Sequence, residues 1–207
     1  MKDEQVLKNL YAMQALKDAK SLHDYIDKWI YKTQCDIAEE SMKTVGFGSA
    51  YKTAKKILTA NKKSNPELAF VLNTSKKKEF VITDKVRAIL MASDAGLPAT
   101  SKQKDYADRV VAVIKDSKTK CSEPISAPTR AELDAIVKDY KAQPKGERGK
   151  QPVYSFGSGM PTVNAEYLMD MLAIYPTVTV YYDKSRKSRS NIFFSFNGIV
   201  GVLMPII

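Results

Sequence analysis

The sequence predicts an α+β fold, because a helical pattern followed by three strand-like segments occurs twice and each set of strands is joined by short polar turns. Turns that short cannot carry a parallel crossover, which needs about a dozen residues or more, so the strands are antiparallel. The apolar positions ahead of each set recur at helical spacing, so each set has its own helix to cover one face of the sheet. The expectation is two helix-on-antiparallel-sheet halves in one domain.

The C-terminal copy is the clearer one. Tyr167, Leu168, Met171 and Leu172 share a helical face, and VTVYYDK and NIFFSFNGIVGVLMPII follow as strands on either side of a basic turn. In the first copy, Gly46-Phe47-Gly48-Ser49 reads as a breaker and helix cap, and Tyr51 to Ala60 as a lysine-studded helix. Leu68 to Leu72 and Glu79 to Ile82 read as a hairpin across a polar, basic turn, and Lys85 to Met91 as a third strand.

Residues 4 to 43 carry an apolar stripe at helical spacing, including Leu7, Leu10, Leu22, Tyr25, Ile26 and Trp29. One long helix fits, and so does a pair in which Ser21 caps the second helix. Between the copies, Ser101 to Lys115 reads as helix and Ser117 to Ser126 as a polar connection. A further helix opens at Pro128-Thr129, with Leu133, Ile136, Val137 and Tyr140 inward. Pro144 to Pro152 reads as a flexible basic linker, and Gln151 to Phe156 as a strand. The expected organisation is a helical extension over 1–45 and a domain over 46–207 with a helical insertion at about 95–150.

The chain of 207 residues has 33 Lys and Arg against 23 Asp and Glu, a net charge of +10. That excess favours a polyanionic partner. Arginine is scarce: Arg87, Arg109, Arg130, Arg148, Arg186 and Arg189 complete the set. Lysine is a mobile point charge without the fork that reads guanine, so contact with DNA would be non-specific and directed at phosphates. Cys35 and Cys121 lie far apart and imply no disulfide framework. The absence of an apolar leader or a long apolar run predicts a cytoplasmic protein with no membrane association.

Little in the chain points to catalysis. His23 is the single histidine, and no His, Cys or carboxylate set has metal-ligand spacing. Gly46-x-Gly48-Ser49 and Gly157-Ser158-Gly159 complete neither a Walker motif nor GxGxxG and read as turns and caps. No enzyme activity and no cofactor are expected. The basic groups are better candidates: Lys52, Lys55 and Lys56 share a helical face, with Lys62 and Lys63 just beyond. Lys184, Arg186, Lys187 and Arg189 crown the later hairpin, where a free tip is expected to contribute less to DNA binding than an aligned helix.

Phe80-Val81-Ile82-Thr83-Asp84-Lys85-Val86-Arg87 resembles the strand-turn-strand segment of bacterial DNA sliding clamps, whose core is Thr-Asp-Gly-x-Arg; Thr83, Asp84 and Arg87 match, and Lys85 stands at the usual Gly. The closing helix with Tyr167 and Leu168, and the ending Leu203-Met204-Pro205, are similar to the family's C-terminal half-domain. The resemblance covers about 46–91 and 152–207. It implies a single DNA-clamp-like domain and a processivity role in DNA replication. It also implies a groove bordered by Thr83, Arg87, Met204 and Pro205 that receives peptides from DNA polymerase or other replication proteins. With one domain where the family has three, a homo-oligomeric ring of six subunits would be needed, and the small size fits a phage or mobile element in a bacterial host cell. Two alternatives remain open: a protein-interaction module or decoy acting on replication proteins, and a structural or assembly protein using its N-terminal helix.

Overall fold

The computed structural model describes residues 3–16, 18–44, 46–58, 70–73, 79–92, 101–175, 179–196 and 198–206. The protein is mixed α+β with an antiparallel sheet, as the paired helix-and-strand patterns predict. In chain order, α1 (Asp3–Gln14), α2 (Ala19–Thr44) and α3 (Gly48–Leu58) lead into β1 (Phe70–Asn73), β2 (Glu79–Thr83) and β3 (Arg87–Ala92). Then come α4 (Ser101–Lys120), β4 (Glu123–Ser126), α5 (Arg130–Ala142), β5 (Val153–Ser155) and β6 (Thr162–Asn164). The closing unit is α6 (Ala165–Ile174), β7 (Thr179–Tyr182), β8 (Ile192–Phe196) and β9 (Ile199–Leu203).

The two α-β-β-β units meet at the middle of one sheet, whose order is β1-β2-β3-β9-β8-β7-β4. Strand β3 pairs antiparallel with β9, Arg87 opposite Leu203 and Met91 opposite Ile199. A local twofold relation through the Ile89–Gly201 pair follows from this register. It carries Arg87 to Ile199 and Met91 to Leu203, an interval of 112 residues in both cases. The same interval relates β2 to β8: Val81 opposes Leu90 as Phe193 opposes Val202. The repeat is therefore a matter of backbone register, although few residues coincide.

Side chains alternate across the strands, and both faces of the sheet are covered. Ile82, Ile89, Met91, Phe194, Ile199 and Leu203 face a core shared with Tyr51 and Ala54 of α3 and with Leu168 and Met171 of α6. Val81, Ala88, Leu90, Phe193 and Val202 face Ala107, Val111 and Ile114 of α4. The stretch between the copies is thus built into the domain: α4 covers the second face, β4 extends the sheet beside β7, and α5 packs on α6.

Several local expectations are corrected. Of the two arrangements open for the N-terminal stripe the pair of helices is found, and its cap is Asp18 in place of Ser21: the Asp18 carboxylate accepts from the Ser21 N–H (2.7 Å) and hydroxyl (2.6 Å). Helix α4 runs on to Lys120, and the polar connection contains β4. Thr129 and Glu132 form a reciprocal capping box at α5, which gives Glu132 a structural partner. The stretch read as a flexible linker folds back on α5: Arg148 donates to the carbonyls of Lys141 (2.6 Å) and Gln143 (2.7 Å), and Tyr140 donates to that of Gly149 (2.8 Å). The two Arg148 bonds satisfy carbonyls that the C-terminus of α5 leaves open. Strand β5 pairs with β6 in a separate two-stranded ladder. Among the described residues no helix is long and apolar enough to cross a membrane.

Candidate functional site

The turn between β2 and β3 is organised by its own residues. Asp84 Oδ1 accepts from the backbone N–H groups of Val86 (3.1 Å) and Arg87 (2.7 Å). Its Oδ2 accepts from Arg87 Nε (2.8 Å) and lies 2.7 Å from Nη2. Thr83 donates its hydroxyl to the Arg87 carbonyl (2.8 Å) and accepts from the Lys85 N–H (3.2 Å). One short side chain thus closes the turn and neutralises the arginine that follows it.

Lys85 holds a positive φ of 76°. Lys85 thus carries a side chain on a left-handed backbone, at a steric cost of about 1–2 kcal/mol. The turn keeps its shape because the Asp84 bonds over-determine it.

Arg87 points from β3 under α6. Its Nη1 reaches Asp170 Oδ2 at 2.5 Å, and its guanidinium lies 4.2 Å from the centre of the Tyr167 ring. The Arg87 side chain is only 2% exposed. A charge buried that deeply is stable only when it is fully paired, and here two carboxylates and an aromatic face surround it. Arg87 therefore positions the turn against the helix, and its head group does not face solvent.

Around this turn lies a groove of about 370 Å³. The turn forms one wall, Tyr106, Arg109, Val110 and Val113 of α4 another, and Val202 of β9 with Met204 just beyond that strand a third. The Met204 N–H donates to the Val86 carbonyl (2.9 Å), which ties the chain end to the turn. Three of the four residues singled out for partner contact, Thr83, Arg87 and Met204, line this one groove, while Pro205 lies next to it along the chain and does not line it. Thr83 and Arg87 shape the groove from beneath, being 1% and 2% exposed. The accessible surface comes from Met204 and from residues the sequence did not nominate: Val86, Val113, Lys85 and Arg109. Burial pushes the Tyr106 phenol up, partly offset by its hydrogen bond with Thr83, so it stays neutral in the groove wall.

The lysines of α3 are arranged differently. Lys52 and Lys55 both approach Glu39 of α2, at 3.5 and 3.9 Å, and Lys55 also lies 5.8 Å from the Tyr51 ring centre. Lys56 is exposed. Lys62 and Lys63 lie outside the described residues, as does the basic turn Lys76 to Lys78. The α3 face thus shares its charge with a neighbouring carboxylate. No sequence signal pointed to Glu39, which belongs to another helix.

A second hollow of about 380 Å³ lies between the start of α5 and the end of α6, lined by Leu133, Met169 and Leu172, and none of the nominated residues reaches it. Comparison of the chain with protein-family models, curated proteins and solved structures gave no match.

Proposed function

We propose that this chain is a non-catalytic, clamp-like binding protein whose groove takes a short peptide segment of a partner protein. The observation that supports it is convergence: Thr83, Arg87 and Met204, named from two distant motifs, surround one groove. Val86, Val113 and Met204 there remain 37–38% exposed. Apolar side chains beside the cations Lys85 and Arg109 suit a segment with one or two apolar anchors and an acidic flank. The twofold relation of the α-β-β-β units is what a clamp-like domain requires, and on this reading the peptide belongs to a polymerase or another replication protein.

The test is a titration with a pooled set of labelled decapeptides, two Leu or Phe anchors at varied spacing within Asp and Glu flanks. The expected result is saturable binding that Met204→Glu weakens about tenfold or more, the scale of a lost interface anchor. Circular dichroism should be unchanged. Binding no stronger than to the same peptides with Ala in place of the anchors would remove this reading.

A second reading, association with DNA, is favoured by the net charge of +10. Such binding would be independent of sequence and steeply salt-dependent. Within it, assembly of several copies into a ring is the form that encircles DNA, and sedimentation of the pure protein tests this, a monomer ruling out a self-closed ring.

A further inference from the structure

Beyond the groove, the last turn of α4 meets the turn between β7 and β8, and the contact is built from polar side chains. Ser190, fully buried, accepts from the Asp183 N–H (2.7 Å) and donates to the Asn191 carbonyl (2.8 Å). Asn191 Nδ2 donates to Ser117 Oγ of α4 (3.1 Å), and the Cys121 thiol lies 3.6 Å from the Asn191 carbonyl. Asp183 accepts from the Ser185 N–H (2.9 Å) and hydroxyl (2.6 Å). Arg186 spans the junction, 3.6 Å from Asp183 and 3.7 Å from Asp116 of α4. The tip read from sequence as free is therefore held to α4 from both sides.

The acids of this junction are turned inward or occupied. Asp183 is 7% exposed, and Asp116 is taken by Lys120 (2.6 Å) and Arg186. Glu123 of β4, half-buried, stands opposite Tyr182 at the sheet edge. What faces outward is positive. Lys118, Lys184, Lys187 and Arg189 are exposed and have no ion pair among the described residues.

We infer that this surface, and not the α3 face, is where the chain holds the phosphate backbone of nucleic acid. The inference rests on the DNA reading above and assigns it a location. Two physical arguments support it. Cations without carboxylate partners release counterions from phosphates without first giving up an ion pair, whereas Lys52 and Lys55 share Glu39. A turn fixed by Ser190, Asn191 and Arg186 also loses little conformational freedom when it binds. Its mixture of three lysines and one arginine contains no array for reading bases, so contact is with the backbone alone.

The experiment compares two triple variants of equal charge change against a labelled 30-base-pair duplex, by fluorescence anisotropy across a salt series. One is Lys118→Glu/Lys184→Glu/Lys187→Glu, and the other is Lys52→Glu/Lys55→Glu/Lys56→Glu. None of the first three residues supports the fold through an ion pair, so circular dichroism should match the parent protein. The first variant is expected to lose about tenfold or more in affinity at low salt and to flatten the log–log salt slope by about two to three units, since each phosphate contact accounts for about 0.9. The second should lose about threefold or less. Equal losses, or a larger loss for the α3 variant, would overturn the location while leaving DNA binding intact. Absence of any binding by the parent protein at low salt would remove the DNA reading as well. Binding to anionic phosphatidylserine vesicles with none to the duplex would overturn nucleic acid as the ligand.

Discussion

The two α-β-β-β units share a register and differ in what they place at equivalent positions. Where the first unit has Arg87, buried between Asp84, Asp170 and Tyr167, the second has Ile199, 1% exposed in the same core face. Where the first has Ile89, the second has Gly201, because Tyr175 from the end of α6 reaches into that space. The left-handed residue of the turn is Lys85 in one unit and Gly198 in the other, one place later by the twofold relation. The backbone can therefore be built with an ordinary apolar residue at the Arg87 position. The charged cluster is an addition of the first unit, and it is the first unit's turn that borders the groove.

The largest effect tests that cluster. Replacing Arg87 with Met leaves Asp84, whose side chain is 4% exposed, buried without its cation. The expected loss of stability is about 3–5 kcal/mol by urea unfolding. Its twofold mate Ile199→Val should cost only about 1 kcal/mol. Similar losses at the two positions would show that the cluster is no more than packing.

The next effect concerns the symmetry axis. A Cβ on Gly201 would stand 2.6 Å from Tyr175 Oη and 3.1 Å from the Ala88 carbonyl, so Gly201→Ala should cost about 1–3 kcal/mol. Among the described residues the fully buried Tyr175 hydroxyl has no hydrogen-bond partner, and burial drives its pKa far up. Tyr175→Phe alone should therefore raise stability by about 1 kcal/mol, and it should soften the Gly201→Ala penalty by removing the nearest atom. Independent, additive effects of the two changes would mean that the hydroxyl does not define this space.

The smallest effect lies in the turns. Lys85→Gly relieves a left-handed side chain and should raise stability by about 0.5–1 kcal/mol, while Gly198→Ala should lower it by about 1 kcal/mol. Thermal unfolding measures both. A loss on Lys85→Gly would mean that the lysine side chain stabilises the turn beyond its backbone strain.

Much of this architecture was legible where strands are apolar on both faces. IFFSF and IVGVL announce β8 and β9, and the Thr83 to Arg87 turn carries its own hydrogen-bonding residues. Strand β4 was not legible, since Glu-Pro-Ile-Ser has a proline and no apolar alternation; it becomes a strand at the sheet edge through β7, where a missing N–H is tolerated. The end of α4 read as loop because its inward position is Ser117, followed just past the helix by Cys121, small residues that suit a polar contact with Asn191 and Ser190. The break before α2 has no Gly or Pro and depends on the Asp18 cap. For the site, three of the four residues nominated for partner contact line the groove and Pro205 does not, and the burial of Arg87 depends on Asp170, 83 residues away, a distance that no local pattern encodes.

On the proposed function, the turn of the first unit, and not its mate, receives a partner segment. Backbone amide chemical-shift mapping of the isotopically labelled protein during titration with the anchor peptides tests this most directly. Perturbations are expected to concentrate at Lys85, Val86, Val113 and Met204, with little change at Phe196, Gly198 and Ile199. Shifts centred on the second turn, or on α3 alone, would contradict it.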